Sequence, residues 1–126
     1  MFAIGATTRI YVAIGATDMR KGFNGLDGLI REKLESDPTS GHIFMFTNKR
    51  KDRLKLVFFD GVGLWVCARR MERGTLHWPQ ASDSKVMLTP EQFTLLIGGI
   101  DLTQTKPRKW YRKPMIDETL ELQHCA

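Results

Sequence analysis

The sequence predicts an α+β domain, an antiparallel β-meander sheet of about four to six strands packed with two main helices near residues 19–35 and 90–99. Three observations carry this. Three β-rich runs, His42–Thr47, Arg53–Asp60 and Leu64–Arg70, follow one another with turn-forming segments between them. Before them the apolar period lengthens from two to about 3.6, so that Phe23, Leu26, Leu29, Ile30 and Leu34 fall on one helical face. After them, Thr89, Pro90 and Gln92 spell a helix start, a capping box with proline in the first turn.

Taken in order, Arg9–Ile14 is the first strand candidate. Asp18 then stands where a helix cap belongs, which places Arg20 and Lys21 in the first turn. The macrodipole disfavours cations there, so they point either to a bound phosphate at that helix end or simply into water. Gly22, Gly25 and Gly28 match neither a dinucleotide fingerprint nor a P-loop and point to close packing or a local irregularity instead. The segment 36–41 ends the helix in a loop, and Asp60–Gly63 turns the second hairpin. Leu76–Pro79 and Lys85–Thr89 read as short edge strands, with Pro79 stopping the former. The last helix, Leu88–Ile100, has Leu88 and Phe93 at hydrophobic-staple positions and Gly98 and Gly99 as its stop. Such a meander either closes into a barrel-like roll or stays an open layer. Residues 1–105 make one domain and 106–126 a basic, aromatic tail, whose end from Met115 onward reads as a helical turn or two or as a disordered terminus.

Charge carries the functional signal. The 126-residue chain has a formal charge of +5 and a pI near 9.5, which favours an acidic partner, nucleic acid first and an anionic membrane surface next. Of 19 Lys and Arg, 13 lie in three short stretches. Lys49, Arg50, Lys51, Arg53 and Lys55 crowd the first hairpin turn; Arg69, Arg70 and Arg73 follow the third β-run; Lys106, Arg108, Lys109, Arg112 and Lys113 flank Trp110 and Tyr111 in the tail. A single lysine at a hairpin tip protects an edge from aggregation. Five cations in seven residues, offset locally by Asp52 alone, repel one another unless an anion meets them. If the hairpins form as drawn, the first two clusters meet in space. The tail suits base stacking with phosphate contacts, and equally docking of its aromatics on this protein's own core.

Other chemistries find little support. His42, His77 and His124 are scattered without ligand spacing, and no nucleophile motif occurs. Asp18, Asp60 and Asp101 are the carboxylates that a metal-dependent nuclease would use, but a cap and a turn account for the first two. No enzyme, cofactor or metal is expected. Cys67 and Cys125 suggest neither a zinc knuckle nor a disulfide framework, and Cys67 reads as a small buried strand residue. No run reaches the ~20 apolar residues of a membrane span and no signal peptide opens the chain, so a cytoplasmic protein is expected.

Three blocks then show a resemblance: TDMRKGFNGL at 17–26, SGHIFMFTNKRKDRLKLVFFDGVGLWVCARRMERGTLHWP at 40–79 and LTPEQFTLLIGGID at 88–101. Over about residues 9–101 the chain resembles the TnpB or Orf2-like accessory proteins of bacterial insertion sequences of the sixty-six type, which are unrelated to the RNA-guided nucleases sharing the TnpB name. The matching motif positions are Asp18, Met19, Arg20, Lys21 and Gly22, then Asp52, Arg53 and Lys55, then Asp60 and Gly61, then Arg70, Glu72, Arg73 and Gly74. The resemblance implies a small non-catalytic protein encoded beside a larger transposase, with no catalytic residues to carry over. Two departures stand out: Lys51 replaces the glycine common before the turn aspartate, and Phe58 and Phe59 replace Tyr-Trp.

Two functions follow as expectations. The first is a DNA-binding accessory factor of transposition that uses the hairpin cluster, the neighbouring arginines, Arg20, Lys21 and the tail against the element ends. The second is a protein-interaction module that docks on the transposase without touching DNA.

Overall fold

The computed structural model describes residues 7–98. Its elements are β1 (Ile10–Ala13), α1 (Phe23–Glu32), β2 (Ile43–Thr47), β3 (Arg53–Phe59), β4 (Leu64–Arg70), β5 (Lys85–Leu88) and α2 (Pro90–Ile97). The strands form one open sheet in the order β4-β3-β2-β1-β5, so the barrel-like alternative does not arise.

The α+β class is as expected, but the sheet is mixed rather than wholly antiparallel. β2, β3 and β4 are the expected hairpins, with Met45 opposite Leu56 and Leu56 opposite Cys67. β1 instead runs parallel to β2, Tyr11 opposite Phe44, because α1 intervenes and a helical crossover returns the chain in the same direction. β5 pairs antiparallel to β1, Tyr11 opposite Met87. Of the two short edge strands expected after the hairpins, Lys85–Leu88 forms and lies at one edge of the sheet. Leu76–Pro79 is irregular, and its Leu76 and Trp78 are buried instead.

Helices on opposite faces make two cores. On one face Leu26, Ile30 and Leu34 pack with Ala13, Phe44, Phe46 and Val57. On the other, Phe93, Leu96 and Ile97 join Leu76 and Trp78 over Val12, Met45, Leu56 and Leu88. Because every second residue of a strand faces the same way, β2 is buried along its whole length between the two layers. Cys67 is buried in β4, as expected.

α2 starts as read. Thr89 accepts from the Gln92 N–H at 3.1 Å, the Gln92 side chain accepts from the Thr89 N–H at 3.0 Å, and Gly98 is the C-cap. α1 does not: it is shorter than expected at both ends, its N-cap is Gly22, and no side chain caps it. Asp18 forms a tight turn instead, accepting the Arg20 N–H at 2.9 Å, so Arg20 and Lys21 precede the helix rather than occupying its first turn. At the far end Glu35 takes a left-handed conformation, φ 50°, that ends the helical path. α1 lies across the strands: Lys55 of β3 donates to the Lys21 carbonyl before it, and Lys85 of β5 donates to the Leu34 carbonyl beyond it.

Candidate nucleic-acid interface

The hairpin between β2 and β3 is built on Asn48. Its side-chain oxygen accepts the N–H groups of Asp52 and Arg53 at 3.1 and 3.2 Å, and its amide donates to the Asp52 carboxylate at 2.6 Å. The Lys51 N–H closes the turn on the Asn48 carbonyl, and Lys51 sits at φ 58°. That left-handed conformation suits glycine, which makes Lys51 a strained way to gain a charge. Asn48, foremost, holds the Asp52 carboxyl below its usual range, so the one local countercharge is committed to shaping the turn. Lys49 and Arg50 form its exposed crest.

Three basic segments converge at this end of the sheet. In the β3–β4 ladder Arg53 stands opposite Arg70, and Leu54 opposite Arg69. The loop after β4 then wraps the tip, with the Met71 N–H on the Asp52 carbonyl at 2.8 Å and the Leu76 N–H on the Lys51 carbonyl at 2.7 Å; this loop carries the exposed Arg73. The segment before α1 arrives through the Thr17 N–H on the Thr47 carbonyl at 2.7 Å and the Lys55 ammonium on the Lys21 carbonyl at 2.8 Å. Arg20 and Lys21 therefore join the two clusters that were expected to meet.

Not all ten cations are available. Arg69 donates to the Ile97 carbonyl at the end of α2, and Lys55 is spent on the Lys21 carbonyl. Arg20 pairs with Asp18 at 2.8 Å, Arg70 with Glu72 at 3.0 Å and Arg50 with Asp52 at 3.9 Å. These three pairs are exposed and water-screened, so a phosphate competes with them easily. The Arg20 side chain, first among several causes, draws the Asp18 pKa down to about 2. Lys21, Lys49, Lys51, Arg53 and Arg73 make no side-chain ion pair with any described residue. Met19, Arg53, Lys55 and Arg70 line a shallow depression of about 230 Å³.

Beside the tip lies a second, larger cleft of about 390 Å³ that the sequence reading missed. Trp78 lines it, with its indole N–H held by the Ala13 carbonyl at 2.9 Å. Gly15, two residues beyond β1 and at φ 88°, also lines it.

The imagined carboxylate group is not assembled. Asp18 lies at the basic end, whereas Asp60 closes the β3–β4 turn at the opposite end of the strands. Asp101 and the tail candidates Lys106, Arg108, Lys109, Trp110, Arg112 and Lys113 lie outside the described residues. Among the described residues no helix is long and apolar enough to cross a membrane.

An open mixed sheet with helices on both faces and positive charge gathered at one end defines a small basic α+β protein. Residues 8–107 match the family described as IS66 Orf2-like protein, and the chain belongs to that family. It is similar to two uncharacterized proteins of Sinorhizobium fredii. One, y4jC, is 40% identical over 84% of this chain and 90% of its own length; the other, y4hO, is 35% identical over 80% and 88%. No solved structure matches. The family places the chain among accessory proteins of insertion-sequence transposition.

Proposed function

We propose that the chain assists transposition by binding DNA phosphates with the basic end of its sheet, without catalysing a reaction itself. The observation that carries this is the convergence of Arg20 and Lys21, Lys49 to Arg53, and Arg70 and Arg73 around one hairpin tip, where few carboxylates offset them. A fold that concentrates like charge in this way is stabilised by a polyanion. Lys49 and Arg50 on the exposed crest are open to the phosphates of a duplex, which carries a charge about every 1.7 Å. Phosphate contacts position without reading sequence, so element ends and scrambled duplexes bind alike through this surface. The transposase is its working partner in this reading, and residues 106–126 add a second basic contact.

The test is fluorescence anisotropy of a labelled duplex titrated with the protein at several salt concentrations. With about six phosphates neutralised, the logarithm of the binding constant falls with the logarithm of salt at a slope near −5. Lys51→Gly, which suits φ 58° and removes one charge, makes the slope shallower by about 0.9 while keeping the turn. Arg50→Glu combined with Lys51→Glu weakens binding at least tenfold. Binding that ignores both salt and charge reversal overturns the proposal, and no binding at low salt favours docking on an acidic face of the transposase instead.

A further inference from the structure

The larger cleft has a use that phosphate binding along a duplex leaves empty. It opens where the parallel strands β1 and β2 present their carboxyl ends. There the chain paths diverge, since β1 leads towards α1 on one face while Leu76 and Trp78 join the core of the other. Crevices of this origin are common ligand sites in open sheets with parallel strands. Gly15, at φ 88°, turns the chain as it leaves β1.

Its lining is mixed: Ile14, Ala16, Trp78 and Pro79 are apolar, Asn48 and Gln80 are polar, and Lys49 and Lys51 come from the hairpin tip. Trp78 is only 7% exposed and is fixed by its bond to the Ala13 carbonyl, so its indole loses no freedom when a ligand arrives. A partly apolar cleft with amide groups and two lysines at its edge fits a flat, hydrogen-bonding ring carrying a phosphate. At about 390 Å³ it has the size of a small-ligand site, far too small for a duplex.

We infer that the cleft takes one unpaired nucleotide of the bound DNA, at a strand end or an opened base step, with the base among Trp78, Pro79 and Ile14 and its phosphate on Lys49 and Lys51. A base paired within a duplex cannot enter such a slot, whereas an extruded or terminal base can. This inference rests on the DNA-binding reading above, because the same hairpin supplies the cations.

Three labelled DNAs test it by anisotropy at one salt concentration: a blunt duplex, the same duplex with a short thymidine tail, and that tail rebuilt with abasic sugars. The base-bearing tail binds about fivefold or more tighter than the blunt duplex, as expected for one stacked base. The abasic tail, which keeps its phosphates, binds distinctly less tightly than the base-bearing one. Ala16→Leu, which fills the cleft, abolishes the gain from the bases and leaves blunt-duplex affinity unchanged. Equal binding of the two tails, with the blunt duplex still bound, overturns the cleft alone; so does a gain that survives Ala16→Leu. Absence of binding to all three overturns the DNA reading with it. If Ala16→Leu does not fold, the comparison of the two tails on the unmodified protein decides.

Discussion

At the scale of single residues, the turns are held by carboxylates and one amide whose geometry is specific. Asp60 accepts the N–H groups of Val62 and Gly63, each at 2.8 Å, and the Trp65 indole N–H at 2.7 Å. These donors, the Gly63 N–H foremost, hold its pKa down to about 2 against an ordinary 3.8. A carboxyl whose pKa is lower folded than unfolded lends stability that is complete above the unfolded value and is lost as pH falls through the folded one. Asp60→Asn is therefore less stable than the parent at pH 6, and the gap narrows between pH 4 and pH 2. Urea midpoints across that range check it, and a constant gap would show that Asp60 acts through shape rather than charge. The Asp60 turn was legible because Asp-Gly is a local signal. The placement of Asp18 was not, since a cap and a tight turn use the same residue types and only the backbone beyond it chooses.

At the scale of elements, local signals succeeded where the chain satisfies its own end groups. The capping box of α2 needs only Thr89 and Gln92, three residues apart, and the structure contains both of its hydrogen bonds. Thr89→Ala thus costs about 1 kcal/mol of stability, read as a shift in urea midpoint. Asp18→Ala costs less, because Gly22 and not Asp18 stands at the start of α1; an equal loss would restore Asp18 as a cap. The helix α1 instead depends on burial of Leu26 and Ile30 and on lysines reaching its two flanks from β3 and β5. Its apolar face was visible as a 3.6 period, but its ends were not, because the groups that fix them lie 34 and 51 residues away in sequence. The parallel pairing of β1 with β2 was hidden for a related reason: strand periodicity reports which face is buried, not which neighbour is chosen.

For the whole molecule, the decisive property is charge asymmetry. Two of the cations near the hairpin tip serve the fold, Arg69 by closing the end of α2 and Lys55 by anchoring the chain before α1, and this division appears only once the strands are side by side. The remaining cations repel across short distances. Raising salt from about 0.01 M to about 0.1 M shortens the screening length from about 30 Å to about 10 Å. The thermal midpoint of the free protein accordingly rises by a few degrees over that range. A flat or falling midpoint would mean that Asp18, Asp52 and Glu72 already neutralise the end.

The sequence by itself determined the α+β class, the two hairpins, the start of α2 and the convergence of the first two basic clusters, because each rests on periodicity or on groups a few residues apart. Tertiary structure alone decided the parallel strand pair, the recruitment of Arg20 and Lys21 to the basic end, the structural duties of Lys55 and Arg69, and the cleft against Trp78. Each of these joins segments far apart in the chain, and the free energy that joins them comes from burying two sheet faces at once, a quantity that no local stretch of residues displays.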